Sequence, residues 1–171
     1  MTDTTGEKEV RPMGTAVLLA ATIATGLMAG LFYAFACAVM PGLGRADDRT
    51  FVEAMRRINA AILNGWFAAA FAGALLLGVA AAALHLGRAG RPVLPWIAAG
   101  VLLYVVVLVV TAAVSVPLND RLAAAAGSGP ADARAHFEAV WVRWNTVRAV
   151  LTTAAFGCLG WALVLQGRPG P

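Results

Sequence analysis

The chain is 171 residues long, with 60% hydrophobic and 13% charged residues and a mean hydropathy of +0.76. A soluble domain carries roughly 25% charged residues, so this composition excludes an ordinary globular domain in water, and the length allows one domain. The net charge of +4 falls in short segments between apolar stretches, without basic runs or basic–aromatic interleaving, which excludes a nucleic-acid surface and fits membrane topology.

No Asp, Glu, Lys or Arg occurs in residues 13–44, 58–87, 92–119 or 149–167. Each stretch reaches the ~20 residues that cross ~30 Å of hydrocarbon, the last only just. The pattern predicts an all-α, polytopic membrane four-helix bundle with helices over residues 13–40, 60–86, 94–114 and 146–166. Two short amphipathic helices are expected over residues 50–59 and 130–145. Residues 1–12 are polar and mixed in charge, the composition of a disordered tail, and residues 167–171 form a short exit.

In chain order, the first helix is expected to stop at Pro41-Gly42. Gly26 and Gly30 form a G-x-x-x-G that admits a close neighbour. Tyr33 and Cys37 follow at helical spacing, so Tyr33 points either into the bundle or to the membrane interface. Thr50-x-x-Glu53 matches a capping box, and Glu53 and Arg57 are placed to pair. Asn59 and Asn64 stand where the chain enters the membrane. Unpaired amides at that depth cost several kcal/mol, so they either bond neighbouring helices or line a polar pocket. Trp66 beside them suits an interface anchor. His85 to Arg91 is a tight basic turn that makes its two helices antiparallel neighbours. Cys37 and Cys158 are single, without a C-x-x-C, and read as small buried hydrophobes.

The third helix is nearly pure Val and Leu and is expected to end at Pro117, followed by Asn119, Asp120 and Arg121. Gly127-Ser-Gly-Pro130 breaks the chain, and Pro130 is well placed to start a helix. That helix carries His136, Phe137, Trp141, Arg143, Trp144, Asn145 and Arg148. Trp141, Trp144, Asn145 and Arg148 are spaced by three and four and share a face. Phe51, Arg57 and Asn59 reappear as Phe137, Arg143 and Asn145, all offset by 86 residues, and Pro41 corresponds to Pro117. The bundle therefore reads as two parallel-oriented two-helix repeats. Both polar segments then lie on one membrane face, where they meet as one composite site. Eight arginines on the side of the polar segments against five basic residues on the side of the termini argue for the former being cytoplasmic. Without Arg56, Arg57, Arg143 and Arg148, which the site can hold, the count is four against five. The 86–92 turn, basic and without acid, then favours both termini on the cytoplasmic side of a plasma membrane of bacterial type.

The segment Val116-Pro-Leu-Asn-Asp-Arg-Leu122 followed by Trp141-x-x-Trp-Asn-x-x-Arg148 resembles the signature of the anthrone-oxygenase-like family of small four-helix membrane proteins. Gly30-Leu-Phe-Tyr-Ala34, Pro41 and the Asn64-x-Trp66 region are similar to its first half. The resemblance implies oxidation of anthrones to anthraquinones with O₂ as co-substrate and no metal or organic cofactor. The positions that carry it are Asn119, Asp120, Trp141, Trp144, Asn145 and Arg148.

On that reading the substrate is a lipophilic aromatic small molecule, phenolic, anthrone-like or quinol-like, that passes an electron to O₂ once deprotonated. Asp120 or His136 would take the proton, and Arg148 or Arg143 would stabilise the anion. Trp141 and Trp144 would stack on the ring. Asn119, Asn145 or Asn59 would hold oxygens, with Asn64 and Tyr33 as further candidates for the pocket. Two other classes stay open. One is a non-catalytic scaffold or subunit of another membrane complex, in which the same polar residues only cap and pair. The other is a small transporter, although no acidic residue lies within any span to couple to protons. The two His residues are far apart and no H-x-x-x-H or E-x-x-H occurs, so no metal is expected. The partners expected are the lipid bilayer and, as an open option, a second copy of the chain; no nucleic acid is expected.

Overall fold

The computed structural model describes residues 4–87, 90–125 and 129–168, with side chains from residue 12. The ends of both tails, Arg88 and Ala89 of the basic turn, and residues 126–128 of the Gly-Ser-Gly break lie outside them. The described chain is all helical: α1 (Thr4–Ala34), α2 (Met40–Leu43), α3 (Asp48–Ala61), α4 (Gly65–Leu84), α5 (Leu94–Val110), α6 (Val116–Ala124) and α7 (Pro130–Gln166). Four helical runs are long and apolar enough to cross a membrane: Pro12–Leu43, Gly65–Leu84, Leu94–Ala124 and Pro130–Gln166. The four-span, all-α architecture matches the expectation.

The ends of the spans differ from it. Residues 4–12, expected as a disordered tail, belong to α1; Glu7, Lys8 and Glu9 are good helix formers. Neither Pro41 nor Pro117 stops its helix. A proline inside a helix has no N–H to give and its ring collides with the carbonyl four residues back. Here that carbonyl lies, in both cases, within a π-helical turn, Phe35–Val39 before Pro41 and Thr111–Ser115 before Pro117. The Met40 N–H reaches back five residues to the Phe35 carbonyl, and the Val116 N–H to that of Thr111. The widened turn absorbs the proline and the helix goes on, into α2 and α6 respectively.

α1 packs against α4 and α7, and α5 against α7, while the α4–α5 seam is the least closely packed of the four. Glycines set two of these approaches. A Cβ on Gly26 would sit 2.9 Å from the Phe156 ring, and one on Gly100 would sit 3.0 Å from the Leu159 side chain and 3.2 Å from the Ala155 carbonyl. Such contacts need small residues where helix backbones come close. Gly30, by contrast, has nothing within 4 Å. Tyr33 is 62% exposed and Cys37 is exposed, so that face of α1 points out of the bundle. Cys37 and Cys158 are both free thiols. At the end of the bundle near the basic turn, His85 is buried against Gly14, and its Nδ1 lies 2.7 Å from the Ala81 carbonyl.

At the other end, α3 and the first turns of α7 form a cap around Phe51, Met55, Leu122, Phe137 and Trp141. The capping box expected at Thr50 does not form, because an N-cap at Asp47 starts the helix earlier. The side chain of Asp47 accepts from the Thr50 N–H (3.0 Å) and from its hydroxyl (2.6 Å), so α3 begins at Asp48 and Glu53 is left to pair with Arg49 and Arg57 on the exposed face. Exposed pairs of that kind contribute little. The strong tie is Arg134. Its Nη1 donates to the Ala46 carbonyl (2.9 Å) and Asp48 (3.0 Å), its Nη2 to the Gly44 carbonyl (2.9 Å), and its Nε to Glu138 (2.6 Å). The guanidinium also lies 4.6 Å from the centre of the Phe51 ring. One side chain thus pins the loop after α2 and the start of α3 to α7.

Candidate functional site

A cavity of about 340 Å³ lies at the junction of the cap and the bundle. One wall is the α3–α4 joint, with Ile58, Asn59, Leu63 and Phe67. The opposite wall is the second π turn and α6, with Thr111, Ser115, Val116, Asn119 and Asp120. α1 adds Phe32, the first π turn adds Phe35, and α7 closes the floor with Trp141, Asn145 and Arg148. Both prolines therefore shape it, since the π turns that accommodate them carry part of the wall. Such turns recur at functional sites.

Arg148 is 6% exposed. Its Nη2 donates to the Asn145 carboxamide oxygen at 3.1 Å, and the Asn145 amide in turn donates to the Phe32 carbonyl at 3.0 Å. Asn145 thereby fixes the arginine and ties it to α1. The guanidinium lies 4.5 Å from the centre of the Phe32 ring and 5.6 Å from that of Trp141, a cation seated between two π faces. Among the described residues no carboxylate lies within salt-bridge distance of it. The Arg148 Nε is buried without a partner, and so is the Asn59 Nδ2 on the opposite wall. Both are donors and both belong to cavity residues. A buried donor left unmet costs about 1–3 kcal/mol, so both groups favour a bound group that accepts.

Trp141 is also buried. Its indole N–H donates to Asn119 at 3.1 Å, and its ring packs against Phe137 and Phe35. Asn119 thus holds the ring in place. Asp120 is exposed on the rim and has no hydrogen-bond or ion-pair partner among the described residues. Arg56, also on the rim, donates through Nε to the Leu122 carbonyl at 2.8 Å, near the end of α6.

Of the residues singled out from sequence, Asn59, Asn119, Asp120, Trp141, Asn145 and Arg148 are brought together here. The others are not. His136 is exposed, bonded to the Asp132 carbonyl, and lies in a separate concavity with Arg121 and Leu118. Arg143 is exposed and covers the Trp144 ring at 5.8 Å. At about 100° per residue, Trp144 lies about 40° outside the arc spanned by Arg148, Trp141 and Asn145, and it does not line the cavity. Asn64 is the cap of α4, accepting from the Phe67 N–H at 3.0 Å, and Tyr33 faces outward. Phe32, Phe35, Thr111 and Ser115 carry no such signal of their own in the sequence. The signal for Phe35, Thr111 and Ser115 is a proline in the middle of a charge-free span: the chain has to widen just before it.

Among the described residues, no three His, Cys, Asp or Glu side chains are grouped to hold a metal ion. The family model described as anthrone oxygenase matches residues 63–158, more than half of the chain and including α4 to most of α7. No curated protein and no solved structure matches.

Proposed function

Because the chain belongs to the anthrone oxygenase family, we propose that it is an integral membrane oxidoreductase that oxidises a flat, lipophilic phenolic or anthrone-like compound with O₂ in this cavity. The observation that carries the reading is a buried guanidinium in the cavity wall, set between the Phe32 and Trp141 rings with no carboxylate beside it among the described residues. A planar ring bearing an oxyanion supplies what is missing.

In this reading an anthrone binds with its oxygen toward Arg148 and its rings against Trp141, Phe32 and Phe35. Asp120 takes a proton from the CH₂ carbon opposite the carbonyl. The resulting electron-rich anion is held by the Arg148 cation, which stabilises charge as it develops. The anion passes one electron to O₂, and the carbon radical and superoxide combine into a C–O bond. The proton taken by Asp120 returns to the peroxide. Loss of water breaks the O–O bond and leaves a second carbonyl. The balance is one anthrone and one O₂ to one anthraquinone and one water. O₂ is the only oxidant, and the reading calls on no metal or organic cofactor.

Oxygen uptake by the detergent-purified protein, above the spontaneous rate, tests this. The expected stoichiometry is one O₂ per anthrone, with turnover lost in Asp120→Asn and Arg148→Met. Full activity in both variants would overturn the assignment of the site.

A further inference from the structure

We propose that the substrate reaches the cavity sideways from the bilayer, through a portal between the start of α4 and the start of α6 whose two jambs are Leu63 and Val116. The inference rests on the reading of the cavity as the site for a lipophilic molecule.

The cavity's floor is buried, so its mouth is marked by the lining residues that are exposed: Ala60, Leu63, Val116, Asp120 and Ala123. These are of two kinds. Leu63 is 80% exposed and Val116 47% exposed, large apolar side chains on opposite edges. Asp120 and Ala123 lie further along α6 on the face that carries Val116, at spacings of three and four. The mouth is therefore graded along α6, from apolar to acidic.

That gradient matches the membrane. The α4 span begins at Gly65, and Trp66, 89% exposed, stands beside Leu63 as an interfacial aromatic. Val116 lies within the Leu94–Ala124 span, nearer its middle than Asp120. The jambs are thus at the edge of the hydrocarbon, where exposure of apolar side chains carries no penalty, while Asp120 lies toward water.

The bundle opens on the same side. Below the cavity the loose α4–α5 seam is closed by Tyr104, whose hydroxyl donates to the Phe71 carbonyl at 3.0 Å and whose ring lies 6.1 Å from that of Phe71. One turn above Phe71, Phe67 already lines the cavity, and so does Thr111 on the facing helix. The portal is placed where this loosely packed seam meets the cavity.

A plug in a portal raises the barrier without altering either end state, so it slows association and release by the same factor and leaves Kd unchanged. A residue that contacts the bound ligand changes Kd. The test uses the full chain in lipid nanodiscs and a monohydroxyanthraquinone, followed by its own fluorescence in stopped flow. Leu63→Trp and Val116→Trp should each slow both rates about tenfold at constant Kd. Ala123→Trp, on the water side of the mouth, should slow both rates less than either jamb variant. Slowing by Ala123→Trp with wild-type rates in the other two would overturn the portal in favour of access from water. A changed Kd at normal association would make the jambs ligand contacts and overturn it as well. Absence of binding to the wild-type protein would remove the reading of the cavity and the portal with it. Binding with the expected rates but no oxygen uptake would sink the oxygenase reading alone.

Discussion

Arg148→Met should separate stability from function. In the structure the guanidinium has one side-chain hydrogen bond, to Asn145, and two ring contacts, to Phe32 and Trp141. The hydrogen bond is worth about 1.5–3 kcal/mol and the closer ring contact about 1 kcal/mol. Against these stands the desolvation of an ion with no described carboxylate beside it, several kcal/mol. Methionine fills similar space with no charge to desolvate, at the cost of leaving the Asn145 oxygen unmet. The terms nearly cancel, so stability should stay within about 2 kcal/mol of wild type and on the stable side. Turnover should fall by about 10²–10³, the loss expected when one donor to a developing oxyanion is removed, and most of it in kcat. Arg148→Lys keeps the charge without the fork and should fall in between. Thermal melting in detergent and oxygen uptake on the same samples read the two quantities. A Tm lowered by more than about 6 °C, with uptake above a tenth of wild type, would refute the reasoning: Arg148 would then hold the fold and not the anion.

The remaining expectations concern what holds the site. Arg134→Ala removes the tie between α7 and the Gly44–Asp48 segment and should cost about 3 kcal/mol, read by melting, while a surface change such as Arg49→Ala should cost less than about 1 kcal/mol. The Thr50 hydroxyl and N–H hold the Asp47 carboxylate below the usual range. Its contribution is therefore present above the unfolded value of about 4 and is lost as pH falls through the lower folded value; Asp47→Asn should flatten that part of the acid limb of a melting-versus-pH series. Pro117→Ala removes the reason for the second π turn. If the turn reverts to α geometry, α6 rotates by about 100°, Asn119 and Asp120 leave the cavity, and uptake falls while the melting temperature does not. Unchanged uptake would show that the turn persists without its proline.

Four spans were legible because a bilayer enforces a simple rule, long stretches without charge, and the rule leaves its mark in composition. The polar face of α7 was legible for the same reason: Trp141, Asn145 and Arg148 recur at helical spacing in a helix that is apolar further on. Their neighbours show where the pattern ran out. Trp144 satisfies the same spacing within one step, yet it lies about 60° from Trp141 around the helix and does not line the cavity. His136 is a sound proton acceptor by chemistry, but α6 stands between its concavity and the cavity. An amide at the membrane edge reads as a pocket or interhelical group, and at Asn64 a helix cap satisfies it without either. Phe35, Thr111 and Ser115 were invisible because a proline in an apolar span reads as a stop. Tertiary packing on both sides of it, which the sequence does not display, makes a π turn the cheaper outcome.

The position of the cavity follows from that outcome. Had α1 stopped at Pro41 and the third span at Pro117, Asn119 and Asp120 would have sat in a loop and Trp141 would have lost the amide that orients it. Because the widened turns carry both helices on past their prolines, α6 stays in register with α7. The Trp141–Asn119 hydrogen bond can then form from helix to helix, and Arg56 can hold the end of α6 from α3. Rigid elements place the polar groups on three sides of a space that α1 and α4 close with aromatic rings. A buried cation is tolerable in such a place only if it is oriented, and Asn145, held to the Phe32 carbonyl, does that. Its neighbours are two rings and an amide, with no carboxylate among the described residues, and that is why the proposed function gives Arg148 an anionic ligand instead of a structural ion pair.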